Sequence, residues 1–279
     1  MEHPKSILRR HRLAPKKSWG QNFLGDEDAL EAIARAAGLG AGETCVELGA
    51  GLGHLTRALA ESGAHVVAVE RDRELAPVLR DELKAHANVR VVEADAASVD
   101  FATIAPERGA GKLAVVGNLP YNVGSPVMLN VLDQREVVSR AIFLLQREVA
   151  ERIAAAPGSR DYGFLSALFQ LVADLDVPLH VDRSRFTPPP NVDSAVLRIV
   201  FRDVPRALVS DFKKYRGVVN AAFGQRRKQL ANALRSRASE LGDTDAALAA
   251  AGIDPTRRGE TLSPEEFASI AEALSHAAP

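Results

Sequence analysis

The sequence predicts an α/β domain built on a mostly parallel sheet, followed by a smaller domain made only of helices. Between residues 26 and 150, short apolar runs typical of buried strands alternate with segments of helical period. From about residue 205 the pattern is helical to the end of the chain. The length of 279 residues is sufficient for two domains of ordinary size. We therefore assign residues 1–204 to the first domain and residues 205–279 to the second.

The elements of the first domain alternate along the chain. The predicted strands are apolar runs bounded by turn residues, at 44–48, 65–70, 89–95, 112–117 and 141–145. The segments of helical composition between them are 52–61, 73–85 and 126–132. Before the first strand, Asp26 can cap a helix that Gly38 ends. This alternation predicts parallel strands joined by right-handed crossovers.

Later segments complete the two predicted domains. Residues 155–163 are rich in small and turn residues and predict a loop. Residues 192–201 predict a late strand that can pair with residues 176–181. In the second domain, Ser263 and Glu266 form a capping box, which predicts the start of the last helix.

Composition limits the class of protein. With 46% hydrophobic and 25% charged residues, the chain has the balance of a soluble globular protein. No apolar run approaches the roughly 18 residues needed to span a bilayer, so we expect a cytoplasmic protein without a membrane segment. The one cysteine, Cys45, lies in an apolar run, where we expect a buried and inert thiol.

Positive charge is concentrated in two segments. Residues 1–20 contain six Lys or Arg against one acid, and residues 212–237 contain eight and no acid. If the fold brings them together, they can form one surface for the phosphates of a nucleic acid. Solvated surface faces give the same counts, so charge alone does not separate the two interpretations.

A glycine-rich run, Gly-Ala-Gly-Leu-Gly at 49–53, follows the first predicted strand. Open α/β sheets bind ligands at this end of a strand, and glycines let the backbone approach them closely. The spacing G-x-G-x-G departs from the dinucleotide pattern G-x-G-x-x-G, which disfavours a nicotinamide dehydrogenase, and the run lacks the Lys-Ser/Thr ending of a P-loop. Taken alone, the run is either a ligand loop or a tight turn.

Two acids at the ends of the next strands support the ligand interpretation. Glu70 ends the second strand, where a carboxylate can accept hydrogen bonds from both ribose hydroxyls. Asp95 ends the third strand, where a carboxylate can accept from an adenine amine. Each acid alone would be an ordinary surface residue. Together with the glycine run they favour an adenosine-binding site.

The run Asn-Leu-Pro-Tyr at 118–121 follows the fourth strand and indicates chemistry on an amine. An adenine amine is a poor nucleophile because its lone pair is delocalised into the ring. The Asn118 side-chain oxygen and the Pro120 carbonyl can accept its N–H groups and favour a pyramidal nitrogen. Tyr121 can stack on the base. The alternative is a chance Asn-x-Pro turn, against which the position after a glycine loop argues.

Five motifs in order, spread over nearly the whole chain, resemble one family. They are Gly-Gln-Asn-Phe-Leu at 20–24, Glu-Leu-Gly-Ala-Gly at 47–51, the run at 118–121, Phe186 before three prolines with Val-Asp-Ser-Ala-Val at 192–196, and Phe-Gly-Gln-Arg-Arg-Lys at 223–228. In these the sequence resembles the adenine-N6 dimethyltransferases of small-subunit (16S) ribosomal RNA, the KsgA/RsmA type. One departure is Asn191, where the family often has Lys.

The resemblance implies a Rossmann-like class I S-adenosylmethionine-dependent methyltransferase sheet with a helical RNA-binding domain. It implies S-adenosyl-L-methionine as cofactor, held by Asn22, Leu24, Gly49, Gly51, Glu70, Asp95 and Asn118. It places Asn118, Leu119, Pro120 and Tyr121 around the target amine, with Phe186 as a second wall for the flipped base. The basic residues expected on RNA are Lys16, Lys17, Arg226, Arg227 and Lys228.

The implied reaction is dimethylation of N6 of two adjacent adenosines near the 3′ end of 16S ribosomal RNA, linked to small-subunit assembly. The expected partner is the small ribosomal subunit, and we expect a monomer that needs no metal. Two alternatives stay open: a dimethyltransferase of large-subunit ribosomal RNA, and an RNA-binding assembly factor whose catalysis is secondary. We expect Trp19 to pack beneath the N-terminal arm.

Overall fold

The computed structural model describes residues 2–106, 111–120 and 124–276. Its main sheet has seven strands in the order β4-β3-β2-β5-β6-β9-β7, and β1 pairs with β8 in a separate ribbon. The strands are β1 (Phe23–Leu24), β2 (Thr44–Leu48), β3 (His65–Glu70), β4 (Val89–Glu93), β5 (Leu113–Asn118), β6 (Val138–Gln146), β7 (Ala173–Val181), β8 (Phe186–Thr187) and β9 (Ser194–Phe201). Five of the seven strands in the main sheet, β2 to β6, run parallel to one another.

The described helices flank the sheet or follow it in the chain. They are α1 (Pro4–Arg10), α2 (Glu27–Ala37), α3 (His54–Ala60), α4 (Leu75–Leu83), α5 (Phe101–Ile104), α6 (Gly124–Asp133), α7 (Arg147–Ala154), α8 (Phe164–Val172), α9 (Phe212–Gly224), α10 (Leu230–Arg235), α11 (Ala238–Leu241), α12 (Thr244–Ala250) and α13 (Pro264–His276). No helix among the described residues is both long enough and apolar enough to cross a membrane.

The predicted parallel sheet is confirmed. Strands β2 and β3 have the predicted bounds, and all five residues of β2 are buried because helices cover both faces of such a sheet. The late strand β9 is antiparallel to β6 and lies beside β7, the strand that contains the predicted pairing segment.

Helix α2 begins and ends at the predicted residues. The Asp26 carboxylate accepts the Ala29 N–H at 2.9 Å, and Gly38 ends the helix in the left-handed region with φ 57°. Arg140 on β6 donates to the carbonyl oxygens of Ala37 at 2.7 Å and Gly38 at 3.0 Å. This arginine thereby satisfies carbonyls that the end of a helix leaves unpaired.

Two apolar clusters hold the helices of this region in place. Residues of α2 and α3, such as Ile33 and Leu59, pack with the buried side chain of Cys45 on β2. As predicted, this thiol is buried, and its burial raises its pKa. Helix α1, which the sequence did not predict, buries Ile7 and Leu8 in a second cluster. The N-terminal arm is therefore partly a packed helix.

The chain divides into two compact units, with boundaries that differ from the prediction. One unit is Met1–Ala150 with Asp176–Phe201, and the other is Glu151–Leu175 with Arg202–Pro279. The second unit therefore includes α8 and the loop before it, which the sequence assigned to the first domain. Its Tyr215 hydroxyl on α9 donates to the Ala167 carbonyl of α8 at 2.8 Å. Such long-range packing does not show in a periodicity read along the chain.

The last helix of the second unit starts with the predicted capping box. The Ser263 N–H donates to the Glu266 carboxylate at 2.8 Å, and the Glu266 N–H donates to the Ser263 hydroxyl at 3.2 Å. Phe267 on this helix is fully buried, and its ring lies 5.9 Å from that of Phe223 on α9. The predicted helical character of this region is confirmed.

Candidate functional site

A cavity of about 340 Å³ lies where β2, β3, β4 and β5 end, within the first unit. This is the edge at which open α/β sheets bind ligands, and the volume lies in the range of small-molecule sites. All seven residues expected to hold a cofactor line it: Asn22, Leu24, Gly49, Gly51, Glu70, Asp95 and Asn118. Leu119 and Pro120 line it as well.

The glycine loop forms the floor between β2 and α3. The N–H groups of Gly49 and Ala50 donate to the Val69 carbonyl at 2.9 and 3.0 Å, so the loop is held against β3. Gly53 has φ 86°, and a Cβ there would lie 2.8 Å from a Leu79 methyl. A side chain is therefore excluded at the last glycine by both backbone conformation and space.

Glu70 joins the loop to the end of β3. One of its carboxylate oxygens accepts the Gly51 N–H at 2.8 Å, and the other accepts the Asp72 N–H at 2.7 Å. Burial raises the pKa of this carboxyl, while the two N–H donors lower it in part. Each oxygen keeps one further lone pair, so the group can still accept from ribose hydroxyls.

Asp95 is the second acid on the cavity wall. Its oxygens accept the Ala97 N–H at 2.9 Å and an Arg71 N–H at 3.0 Å. The Ala97 N–H first and the Arg71 guanidinium second hold the pKa of this carboxyl below its usual value. Asp95 is therefore an ionised acceptor at neutral pH.

Asn118 ends β5 and lines the cavity with a defined amide orientation. Its Nδ2 donates to the Asn22 carbonyl at 3.2 Å. Within the described part of the chain, its Oδ1 has no donor, so it remains an acceptor at the wall. Leu119 is buried, and its N–H donates to the Leu144 carbonyl at 3.2 Å. Tyr121 lies outside the described residues, and its stacking role stays a prediction.

Sequence reasoning missed a network that attaches residues 16–22 to the cavity. The buried Asp72 accepts the Lys16 ammonium at 2.7 Å and the Gln21 amide at 2.9 Å. Burial alone would raise the pKa of Asp72, but hydrogen bonds from Lys16, the Glu74 N–H and Gln21 together outweigh burial and hold the pKa below its usual value. The available signal was its position two residues after Glu70, at the ligand edge of the sheet.

Glu47 is an additional buried acid beside the glycine loop. It is 1% exposed and lines the cavity, and one of its oxygens has no hydrogen-bond partner among the described residues. Burial, with a smaller contribution from the negative charge of Glu70, raises its pKa to about 8. The sequence showed Glu47 only as part of a motif, because burial depth on both faces of a strand is a tertiary property.

Other predicted site residues lie elsewhere. Phe186 is 3% exposed in the apolar core, paired in register with Leu24, and is not on the cavity wall. Its role as a wall for the base stays a prediction. Asn191 is exposed, and its carbonyl accepts an Arg183 N–H at 3.1 Å.

The predicted RNA-binding residues differ in their surroundings. Lys16 is paired with Asp72 and also with Glu74 at 2.5 Å, so its charge is largely neutralised within the protein. Arg226 donates to the carbonyls of Arg160 and Tyr162 at 2.9 and 3.0 Å, which ties it to the loop before α8. Two of the five predicted cations are thus engaged within the protein, and the RNA-binding role of all five stays a prediction. The remaining three are Arg227 and Lys228, which are exposed, and Lys17, whose side chain is outside the described part of the chain.

One group in the described residues has metal-ligand spacing. Donor atoms of His11, Asp81 and Glu82 lie within 4.8 Å of one another. Lys84 pairs with Asp81 at 2.9 Å, and Arg10 pairs with Glu82. Both carboxylates are thus engaged by cations of the chain, and the expectation of a protein without metal stays a prediction.

The geometry of this edge defines a class of protein. A mostly parallel sheet carries a glycine loop after β2, the carboxylate of Glu70 at the end of β3 and the carboxylate of Asp95 after β4. The Asn118 side chain lines the same cavity as these two carboxylates. The fold and the site are those of a Rossmann-like class I S-adenosylmethionine-dependent methyltransferase.

Comparison with known proteins identifies the family. The family model for ribosomal RNA adenine dimethylase matches residues 12–276, and the chain belongs to this family. It is 56% identical over 282 residues to ribosomal RNA small subunit methyltransferase A of Myxococcus xanthus (strain DK1622), covering 100% of this chain and 98% of the relative. Identity to the protein of the same name from Moorella thermoacetica (strain ATCC 39073 / JCM 9320) is 45%, covering 97% of this chain and 96% of that one.

Solved structures show the same fold. The crystal structure of the 23S rRNA methyltransferase ErmE aligns with a TM-score of 0.67 at 28% identity, covering 91% of this chain and 99% of that one. A dimethyladenosine transferase from Plasmodium falciparum aligns with a TM-score of 0.73 at 21% identity, covering 89% and 95%. The second likeness concerns the fold alone.

Proposed function

We propose that this protein transfers methyl groups from S-adenosylmethionine to N6 of two adjacent adenosines near the 3′ end of small-subunit ribosomal RNA, in connection with assembly of that subunit. Family membership and the small-subunit relatives support this substrate. The observation that carries the chemistry is Asn118, whose amide presents an acceptor oxygen on the wall of the adenosine-type cavity.

The residues of the cavity fit the cofactor. Glu70 and Asp95 supply acceptors for a ribose and an adenine amine, and the glycine loop admits a ligand close to the backbone. When bound, S-adenosylmethionine supplies an electrophilic methyl group on a sulfonium. The protein contributes mainly by holding the two reactants in line, which removes much of the entropic barrier.

Asn118 and Pro120 activate the amine by accepting its two N–H groups. An amine held in this way places its lone pair away from the ring plane and towards the methyl group. The proton of the alkylated nitrogen is acidic and leaves to water, so no dedicated base is needed. The base reaches the pocket by leaving its stack, at a cost of a few kcal/mol.

Asn22 fixes the orientation of the Asn118 amide. Its carbonyl accepts from Nδ2, and an inverted amide would place two oxygens against each other. The orientation with Oδ1 as the remaining acceptor is therefore favoured. Asn22 thus acts as a positioning residue through its backbone, which is consistent with its place at the end of the segment that Asp72 holds.

The test is methyl transfer from labelled S-adenosylmethionine to small subunits from cells that lack the modification, with large subunits and naked RNA in parallel. Label in N6,N6-dimethyladenosine of small-subunit RNA is the expected result. Label only in large-subunit RNA would instead support a 23S rRNA methyltransferase activity like that named for ErmE. No label on any substrate, despite cofactor binding, would favour the assembly-factor alternative.

Asn118→Ala tests the chemical role. We expect turnover to fall by about a hundredfold or more while cofactor binding is weakened but measurable. The matched control is Asn88→Ala, because Asn88 donates to the Ala60 and Ala64 carbonyls at the opposite end of the sheet. Melting temperatures of both variants separate lost stability from lost chemistry. Full activity in Asn118→Ala would refute the assignment.

The proposal gives the helical unit an RNA-binding role through Arg227 and Lys228, which are exposed. Alanine at either position is expected to weaken RNA binding and to reduce the slope against salt by about one. Arg235→Ala is the control, since Asp245 pairs with this arginine at 2.8 Å. We further propose that the protein is a cytoplasmic monomer and acts without a metal. Sedimentation tests the monomeric state, and activity in the presence of a chelator tests whether a metal is needed.

A further inference from the structure

Arg71 lies between two residues of the cavity wall in an arrangement that the reaction outlined above does not use. Its guanidinium is 4.6 Å from the centre of the Trp19 ring, and its NH1 donates to Asp95 at 3.0 Å. All three residues line the same cavity. Lys16 lies over the Trp19 ring as well, with its ammonium 4.9 Å from the ring centre. Trp19 is therefore part of the wall rather than only a packing residue beneath the arm.

These contacts contribute little to folding. The Arg71 and Asp95 side chains are 50% and 44% exposed, and exposed ion pairs are worth about 0 to 1 kcal/mol. A cation over an exposed aromatic ring adds an amount of similar size. The arrangement therefore has its main consequence in the shape and polarity of the cavity, and the side chain can be changed without unfolding the protein.

A guanidinium at this position suits a planar aromatic ligand. Its plane stacks on aromatic faces, and its fork of N–H groups fixes a carboxylate more strictly than an ammonium would. Asp95 has one oxygen held by the Ala97 N–H and the other by Arg71. The carboxylate is thus fixed in direction, and its remaining lone pairs can only accept.

An acceptor of this kind distinguishes purines by the group at position 6. An amino group donates to it, whereas an oxo group would place oxygen against oxygen and leave both without a partner. Sites built to hydrogen-bond a donor reject analogues that lack it by large factors. Discrimination falls when the carboxylate is free to rotate away.

We propose that Arg71 is a specificity-determining residue for the adenine ring of the cofactor, forming a planar wall of the adenine site and holding Asp95 as the acceptor that separates amino from oxo purines. The inference rests on the proposed function, because it concerns the same cavity. It assigns a binding role to a residue that the sequence motifs did not single out.

The experiment compares two ligands on three variants by calorimetry: S-adenosylhomocysteine, and S-inosylhomocysteine with an oxo group at position 6. In Arg71→Ala, affinity for S-adenosylhomocysteine is expected to fall about tenfold and affinity for S-inosylhomocysteine less than about threefold. Arg71→Lys keeps the charge without the planar fork and is expected to lie between Arg71→Ala and the unchanged protein. Arg80→Ala is the matched control: Arg80 pairs with Glu93 at 2.8 Å with similar exposure, 47% and 41%, outside the cavity lining.

Trp19, the one tryptophan of the chain, supplies a second readout. We expect S-adenosylhomocysteine to change its emission in the unchanged protein, because the ligand's ring enters beside Arg71. Emission of the free Arg71→Ala protein should differ from that of free Arg80→Ala, which shows that Arg71 contacts the ring in solution. Identical emission in the two free variants would contradict the arrangement.

The outcomes separate this inference from the proposed function. An unchanged protein that does not bind S-adenosylhomocysteine would overturn both. Binding by the unchanged protein with no loss in Arg71→Ala would overturn only the role of Arg71. Equal losses on the two ligands would show that Arg71 is a wall without selectivity, and would refute the specificity claim.

Discussion

Replacement of Glu47 by glutamine should stabilise the first unit at alkaline pH. In the folded protein the pKa of Glu47 is raised from 4.5 to about 8 because the group is buried. Between these pH values the folded state binds a proton that the unfolded state does not. The free energy of unfolding therefore falls as pH rises from about 4.5 through about 8.

The magnitude follows from the pKa shift. A displacement from 4.5 to about 8 corresponds to on the order of 5 kcal/mol between acidic and alkaline pH, since one pKa unit is about 1.4 kcal/mol. Glutamine is neutral at every pH and nearly the same size. Glu47→Gln should therefore match the unchanged protein near pH 5 and exceed it by several kcal/mol near pH 9.

Urea unfolding at pH 5, 7 and 9 provides the assay, with Trp19 emission as the signal because this residue belongs to the first unit. Glu43→Gln is a control of opposite sign. Hydrogen bonds from Arg140 first, and from the Gly40 N–H, lower the pKa of Glu43. The stabilisation that the ionised Glu43 provides is present above the pKa of this group in the unfolded state, and it is lost as pH falls through the lower pKa of the folded state. Glu43→Gln should therefore lower the free energy of unfolding at neutral pH. If the free energies of unfolding of Glu47→Gln and the unchanged protein differ by the same amount at all three pH values, the reasoning is refuted.

Three further substitutions test the packing. Arg140→Ala removes donors to two carbonyls at the end of α2 and is expected to cost about 2 to 3 kcal/mol in urea unfolding, with Arg140→Lys recovering only part. Tyr215→Phe leaves a buried carbonyl without its 2.8 Å donor, so the unfolding transition of the helical unit should lose about 1 to 2 kcal/mol. Gly53→Ala should lower the melting temperature more than Gly158→Ala. Both glycines have a positive φ, 86° at position 53 and 82° at position 158. At position 53 an added Cβ would also lie 2.8 Å from the Leu79 side chain, whereas at position 158 it would meet nothing within 4 Å. Equal losses in the two glycine variants would mean that backbone strain alone acts.

Features that depend on neighbours in the chain could be predicted from the sequence. Strands β2 and β3 were predicted with their observed bounds, because a strand buried on both faces is a continuous apolar run. The cap at Asp26 and the capping box at Ser263 are also local, since each joins residues three apart.

Features that depend on distant contacts could not be predicted in the same way. Helix α8 lies within residues 1–204, which the sequence assigned to the first domain, but it belongs to the helical unit, where the Tyr215 hydroxyl donates to its Ala167 carbonyl. Lys16 and Arg226 were predicted to contact RNA, and the sequence did not show that each is held by partners far along the chain. A count of charges shows how many cations a segment has, but the pairing of each one is decided by the folded structure.

By itself, the sequence determined the alternation of strands and helices that begins near residue 26, the glycine loop and the acids at the ends of the strands. Parallel topology then brings strand ends together, so these local signals sufficed to predict one cavity. Only the tertiary structure decided what surrounds each group there: the burial that raises the pKa of Glu47, the attachment of residues 16–22 through Asp72, and the contact of Arg71 with Trp19 and Asp95. The physical reason is that desolvation and ion pairing depend on distances between residues remote in sequence, which residue spacing does not contain.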